Sequence, residues 1–447
     1  MRRLLVALGG LTASLALAAP GLAAGTAAWP MIQGGPAHLG VAEDAPEPPY
    51  REGWRTKAGR SGHRGAAGPV VVGDLAITLG RDEVLAVNVS DGDVAWSVAR
   101  APDVPVTPAV SEDGATLVYP EGTGDAVAVI GLDLKTRSVR WRFLPDAEVR
   151  AAPAVDGRFA YVATRSGTVY ALETATGDER WSFEGDGAVR SALTVAGGLV
   201  LAVAEDTDEP PKTTVYALNS DDGKEAWRAA PPGVGVLASG AAVDGGRAYL
   251  GWGDGGVRAL DMEDGDVLWT RQVAIRQGFW PSSIPVIADG DVIIASPGGS
   301  VIRIDGETGT RLWRFRFPSA FLKAVPLVVG DVVVVGRHDG VAVALDVASG
   351  RLIWDLDLDG GAIGSLAPAD DLLIAGLPEA IGGMVALEHD PAGDLTSIES
   401  PTVLHPTDAV VNFLVAFAAL TAGLAVATRL AGSRRSPSTD APAGGLR

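Results

Sequence analysis

The chain has 447 residues, 47% of them hydrophobic, and a formal charge of −19. That acidity argues against nucleic acid, whose phosphates demand a basic surface, and against docking on anionic lipid. With no cysteine at all, disulfides, thiolate metal sites, cysteine nucleophiles and a lipid-modified N-terminal cysteine are excluded.

Residues 1–28 open with Arg2-Arg3, run through the apolar stretch Leu4 to Leu17 and end in small residues. This is the layout of a secretory signal peptide, with cleavage expected between Ala24 and Ala28; an uncleaved signal anchor is the competing reading. Next comes Trp29-Pro-Met-Ile-Gln-Gly-Gly-Pro-Ala-His38, then a proline-rich acidic stretch to Pro49, with no strand pattern in either. Arg51 to Lys57, around Trp54, reads as an outer strand with no partner just upstream.

From there one pattern recurs. Val169 to Phe183 (VYALETATGDERWSF) reads as two strands around a turn at Thr176-Gly177, with Trp181 and Phe183 alternating on the return. Close relatives of it end at Trp96, Trp141, Trp227, Trp269, Trp313 and Trp354. A glycine sits four residues before the tryptophan in six copies: Gly92, Gly177, Gly223, Gly265, Gly309 and Gly350. Arg137 holds that place in the copy ending at Trp141. Counting Trp54, successive tryptophans lie 40 to 46 residues apart. A period of roughly 40–50 residues with four short strands per unit is the signature of a β-propeller. Each indole can bury roughly 150–250 Å², so eight at equivalent places form a ring of anchors between neighbouring blades.

Two further strands separate each tryptophan from the next motif, as in Ala152–Val155 with Phe159–Thr164 and Pro285–Ala288 with Val292–Ser296. The last unit offers three strands (Ser365–Ala369, Asp371–Gly376, Gly383–Glu388) and no tryptophan after them. Letting the Trp54 strand complete this blade closes the ring and leaves no open junction. The propeller is therefore expected over residues 29–390, followed by a polar stalk at 391–408. Ala409 to Thr428 is about 20 nearly unbroken apolar residues, which at 1.5 Å each span about 30 Å, the core of a bilayer. Arg429, Arg434 and Arg435 follow, so the tail 429–447 is expected in the cytoplasm and the propeller outside.

The repeats, and the opening Trp29 to His38, resemble the pyrroloquinoline-quinone-like (PQQ-like) propeller repeat. The resemblance implies eight four-stranded blades, each tryptophan docking on a neighbouring blade. It covers a superfamily that includes quinoprotein alcohol dehydrogenases, the assembly lipoprotein BamB and sensor domains on membrane proteins. The enzyme branch implies a quinone held over calcium beneath an adjacent cysteine pair; this chain has no cysteine and shows no match for the calcium-binding Glu/Asn pair or the catalytic aspartate. The BamB branch implies a scaffold anchored by a lipidated cysteine, for which an apolar helix would substitute here.

Chemistry-bearing clusters are few. Asp355-Leu-Asp357-Leu-Asp359-Gly360 imitates the start of a calcium loop, but Leu366 stands where its glutamate should be. Strand alternation explains the aspartates better. Asp91, Asp93, Asp264 and Asp266 read as turn residues. His38, His63, His338, His389 and His405 lack metal-ligand spacing and read as surface residues. One pattern goes against composition. Arg64, Arg150, Arg190 and Lys323, with Trp280 and Phe321, lie just before innermost strands, where propeller loops face the channel mouth. They suggest a site for an acidic peptide or anionic ligand gripped by arginine forks. The alternative is that they pair with aspartates such as Asp103 and Asp186. The sequence thus leads to a monomeric, membrane-tethered, extracytoplasmic eight-bladed propeller that binds protein partners without catalysis or cofactor. A quinone-dependent dehydrogenase and a ligand-sensing ectodomain are the alternatives.

Overall fold

The computed structural model describes residues 29–56, 67–102, 106–122, 127–206, 212–231, 239–273, 283–296, 298–317, 325–358, 363–377 and 383–395. Residues 1–28, expected to be a signal peptide, the apolar stretch 409–428 and the tail 429–447 lie outside these residues. Among the described residues, no helix is long and apolar enough to cross a membrane.

Eight sheets follow one another along the chain, most of them built from four consecutive antiparallel strands. The fourth has its first strand split in two, the seventh gains a short parallel strand from the N-terminal segment, and the last is completed from the N-terminus. The first blade spans residues 70–99, the second 109–143, the third 154–184 and the fourth 188–229. The fifth spans 242–272, the sixth 286–316 and the seventh 327–357. The first strands of successive blades touch one another, from the eighth blade through the first and round to the seventh, and so form the inner wall of a ring. The eighth blade joins Leu366–Ala369, Leu372–Gly376 and Met384–His389 to Tyr50–Arg55, with Trp54 opposite Ala386. The N-terminal strand thus completes the C-terminal blade, as expected. The middle strands are buried on both faces and read as near-continuous Val, Ile, Leu and Ala; the outer strands alternate.

Each outer strand carries a bulge just before its tryptophan, as where Ala171 faces Trp181 but Leu172 faces Glu179. The indole then packs onto the next blade. In six of the eight interfaces its N–H donates to a backbone carbonyl there: Trp54 to Val89 (2.7 Å), Trp141 to Thr174 (2.8 Å), Trp181 to Ser220 (2.9 Å), Trp227 to Met262 (2.9 Å), Trp269 to Gly306 (3.0 Å) and Trp313 to Val347 (2.7 Å). Three residues beyond each acceptor stands a turn glycine. At Gly177 it takes a left-handed φ of 76°, the conformation the turn needs. It also lies flat beneath Trp141, so that a Cβ would sit 2.6 Å from the ring. The glycine therefore travels with the tryptophan for two reasons, a turn in its own blade and a floor for its neighbour's indole.

The two remaining interfaces lack that glycine. Trp96 packs with Leu134 of the second blade, where Arg137 holds the turn at φ 59°, and its buried N–H has no partner. Trp354 instead meets Tyr50 of the eighth blade edge-on, with ring centroids 5.0 Å apart.

The opening segment, without pattern in the sequence, threads the inside of the ring. Trp29 bridges to Val71 of the first blade. The carbonyls of Pro30, Pro36, Ala37, Leu39 and Gly40 then accept N–H groups from Val110, Val195, Val243, Ile287 and Val328, on the inner strands of the second, fourth, fifth, sixth and seventh blades. Val41–Ala42 finally pairs in parallel with Val328–Val329, a strand the sequence did not announce. His38, expected at the surface, is fully buried here: its Nδ1 lies 3.1 Å from Ala241 O and 3.2 Å from Thr194 Oγ1. Burial drives its pKa down to about 4, against the smaller opposing effect of the Ala241 bond. Gln33 donates to Pro285 O at 2.8 Å. Gly40 passes so close to Val286 that a Cβ would lie 2.5 Å from its Cγ1.

Candidate functional site

One end of the ring carries the connections that enter each inner strand, together with those joining second to third strands. Of the channel-mouth candidates, Arg150 and Arg190 stand there. Arg64, Trp280, Phe321 and Lys323 lie outside the described residues. Two consecutive blades build this end alike. In the third, the Asp146 N–H donates to the Tyr170 hydroxyl at 3.4 Å, and Tyr170 packs edge-on against Phe143. In the fourth, the Asp186 N–H donates to the Tyr216 hydroxyl at 3.0 Å beside Phe183. In these two blades a third-strand tyrosine thus pins the loop that delivers the arginine.

Both arginines are paired, with glutamates and not with the aspartates the sequence suggested. Arg150 reaches Glu148 at 3.2 Å, and Arg165 from the neighbouring loop reaches the same carboxylate at 3.1 Å. Two guanidinium groups thus share one carboxylate. Arg190 reaches Glu205, which is buried, at 2.8 Å. Asp186 contributes its backbone to Tyr216 instead. Asp146 accepts from Ser166 (2.6 Å), Thr168 (2.8 Å) and Tyr170 (3.0 Å). Burial alone would raise its pKa, but these hydroxyl donors outweigh burial and hold the carboxyl below its usual range.

The same end continues round the ring with residues the sequence reading missed. In the fifth blade Arg258 is buried 4.6 Å above the Trp252 ring and bonds Asp254 at 2.5 Å. In the seventh, Arg337 pairs with Asp339 and lies 5.2 Å over Phe317. Their signal was a repeated glycine closing the second-to-third connection, at Gly167, Gly255 and Gly340, a few residues after the cation or aromatic. Among the described residues no group of three or more His, Asp or Glu side chains is placed to hold a metal ion. The chain also has no cysteine to form the pair that the quinone-dependent branch implies.

An eight-bladed ring stapled by indoles defines a β-propeller, here with a loop-rich end that carries paired arginines. The chain belongs to the family described as outer membrane protein assembly factor BamB, whose sequence profile matches residues 127–278 and 275–400. An outer membrane protein assembly factor BamB from Yersinia pestis is 27% identical over 247 residues, 50% of this chain and 62% of that protein. The match thus spans less than two thirds of that relative. The crystal structure of BamB from Moraxella catarrhalis aligns with a TM-score of 0.57 at 21% identity, over 73% of this chain and 95% of that one. Quinohemoprotein alcohol dehydrogenase ADHIIG from Pseudomonas putida HK5 aligns with a TM-score of 0.66 at 13% identity, over 85% and 84%. At such identities the two structural likenesses speak for the fold alone.

Proposed function

We propose that this protein is a non-catalytic scaffold that binds protein partners outside the cytoplasm while held at a membrane. The observation that carries this reading is the match to the BamB family across residues 127–400. Physical chemistry supports it. A closed ring whose inner wall is laced by its own N-terminal segment is rigid, and a rigid broad face loses little entropy on binding. No nucleophile, base and oxyanion donors converge among the described residues. The likeness to quinohemoprotein dehydrogenases extends to the fold alone.

In the finer reading, residues 1–28 direct export and residues 409–428 tether the propeller, with the tail after Arg429 inside. The channel mouth takes an acidic partner segment. Arg150 and Arg165 share Glu148, so an incoming carboxylate can take one of them without leaving Glu148 unpaired. Crosslinking in intact membranes, followed by identification of the captured proteins, tests the scaffold. Membrane or secreted proteins should be captured specifically, and recovery of none would overturn the reading. Substituting Arg150 and Arg190 together by alanine should reduce that capture; undiminished capture would remove the mouth as the site.

A further inference from the structure

Every blade ends in an outer strand with one unpaired edge, and such an edge invites another strand unless its side chains discourage it. Most outer-strand arginines here are neutralised. Arg51 pairs with Glu388 at 2.8 Å, Arg142 with Glu121 at 2.8 Å and Arg228 with Glu225 at 2.7 Å, while Arg55 and Arg140 reach Glu52 and Asp133. Arg180 is a lone cation next to Glu179 in the chain. The sixth blade departs from this rule. Its outer strand Arg311–Arg316 carries three exposed arginines in six residues. Arg314 reaches the Ser300 hydroxyl at 2.8 Å, and none of the three meets a carboxylate among the described residues. Partial burial of the guanidinium against Ser300, and then the charges of Arg316 and Arg311, push Arg314 below its usual range.

Geometry adds a direction. Trp313 and Phe315 share one face, toward the seventh blade, where Trp313 lies on Gly350. Alternation turns Arg314 and Arg316 to the opposite face, toward the fifth blade. There Arg271 crosses from the fifth blade's outer strand to the Gly309 carbonyl. The groove between these two edges is therefore cationic in a chain of net charge −19. Beside it lie exposed apolar side chains, Leu312 (49% exposed) and Leu268 (44%).

We infer that the edge Arg311–Arg316 is a docking strand for an extended segment of a partner protein in which acidic and apolar residues alternate. Added as a fifth strand, such a segment would bond its backbone to the free edge. Its acidic side chains would fall opposite Arg314 and Arg316, two residues apart, and its apolar ones would cover Leu312 and the exposed part of Trp313. This deepens the scaffold reading and rests on it, at a place distinct from the channel mouth.

The test uses the full chain and a labelled Glu-Val-Glu-Val-Glu-Val peptide, followed by fluorescence anisotropy. The acidic peptide should bind at least tenfold more tightly than its Lys-Val counterpart, and binding should weaken as salt rises. The R314E/R316E variant, with unchanged circular dichroism and melting, should lose tenfold or more and now prefer the lysine peptide. R314Q/R316Q should lose less and prefer neither. Equal binding of an acidic peptide N-methylated at alternate residues would overturn strand addition, because its charge is intact and its edge is blocked. Binding to phosphatidylglycerol vesicles without peptide binding would make the edge a lipid-facing surface and overturn the inference. Capture of partners in membranes by R314E/R316E at the wild-type level would overturn this docking strand yet leave the scaffold standing. Capture of nothing by the wild-type chain would bring down the scaffold itself.

Discussion

The rim and the hub of this ring are held by opposite strategies. The rim repeats one device, an indole on a neighbour's glycine with its N–H on a carbonyl, at six junctions and in altered form at two. The hub depends on a single segment, residues 29–42, which bonds inner strands of six blades. Repetition divides the rim's stability among eight separate staples, each a large contact in its own right. The hub has no second copy, and any strain in it is shared by many blades.

Breaking one staple should have the largest effect. Trp181→Ala empties a buried site and leaves the Ser220 carbonyl with only the longer bond from the Tyr161 hydroxyl, at a cost of about 3–5 kcal/mol; a loss under about 1 kcal/mol in chemical denaturation would contradict the staple. The hub is reached through pH. His38 is neutral in the folded ring with its pKa near 4, while in the unfolded chain it takes a proton near pH 6.5. The unfolded state therefore binds more protons between those values, and stability falls as pH drops through that window and levels off below about 4. At pH 4.5 the expected loss is about 2–3 kcal/mol relative to pH 7. His38→Gln should flatten this part of the profile, and an equally steep profile in the variant would place the pH dependence elsewhere.

Smaller effects sharpen the contrast within the rim. Trp141→Phe removes an indole N–H bonded to Thr174, whereas Trp96→Phe removes one that is buried and unpartnered. The first should cost about 1 kcal/mol more than the second, and equal losses would mean the hydrogen bond carries no net weight. Arg137→Gly should be the mildest change, and stabilising by about 0.5–1 kcal/mol, because it relieves a left-handed arginine at the turn. A lower melting temperature would show that Arg137 contributes a contact worth more than its strain.

The same division governs what the sequence could disclose. Blade number, ring closure through Trp54 and nearly every strand followed from a motif seen many times, since eight copies average out local ambiguity. Gly177 and its equivalents were visible as turn residues, but their second role depends on a neighbouring blade and so lies beyond local spacing. Trp29 to His38 occurs once, mixes proline, glycine and polar groups, and buries His38 and Gln33 through contacts with strands far away in the chain. Composition therefore pointed to the surface, and the fold put them at the axis. The mouth was half legible. Arg150 and Arg190 were found from their offset before inner strands, yet Glu148 and Glu205 carry no periodic mark and the aspartates nearby were the more obvious partners.

The closure of the eighth blade ties the first residues of the propeller to its last. An open solenoid that loses its final repeat gives up one unit and keeps the remainder. Here, shortening the chain before Met384 would orphan Tyr50–Arg55 as well, and Trp354 would lose the ring of Tyr50 against which it rests. Synthesis must therefore carry the earliest strand unsatisfied until the final one emerges, and completion of the circle is the longest-range pairing this chain has to make.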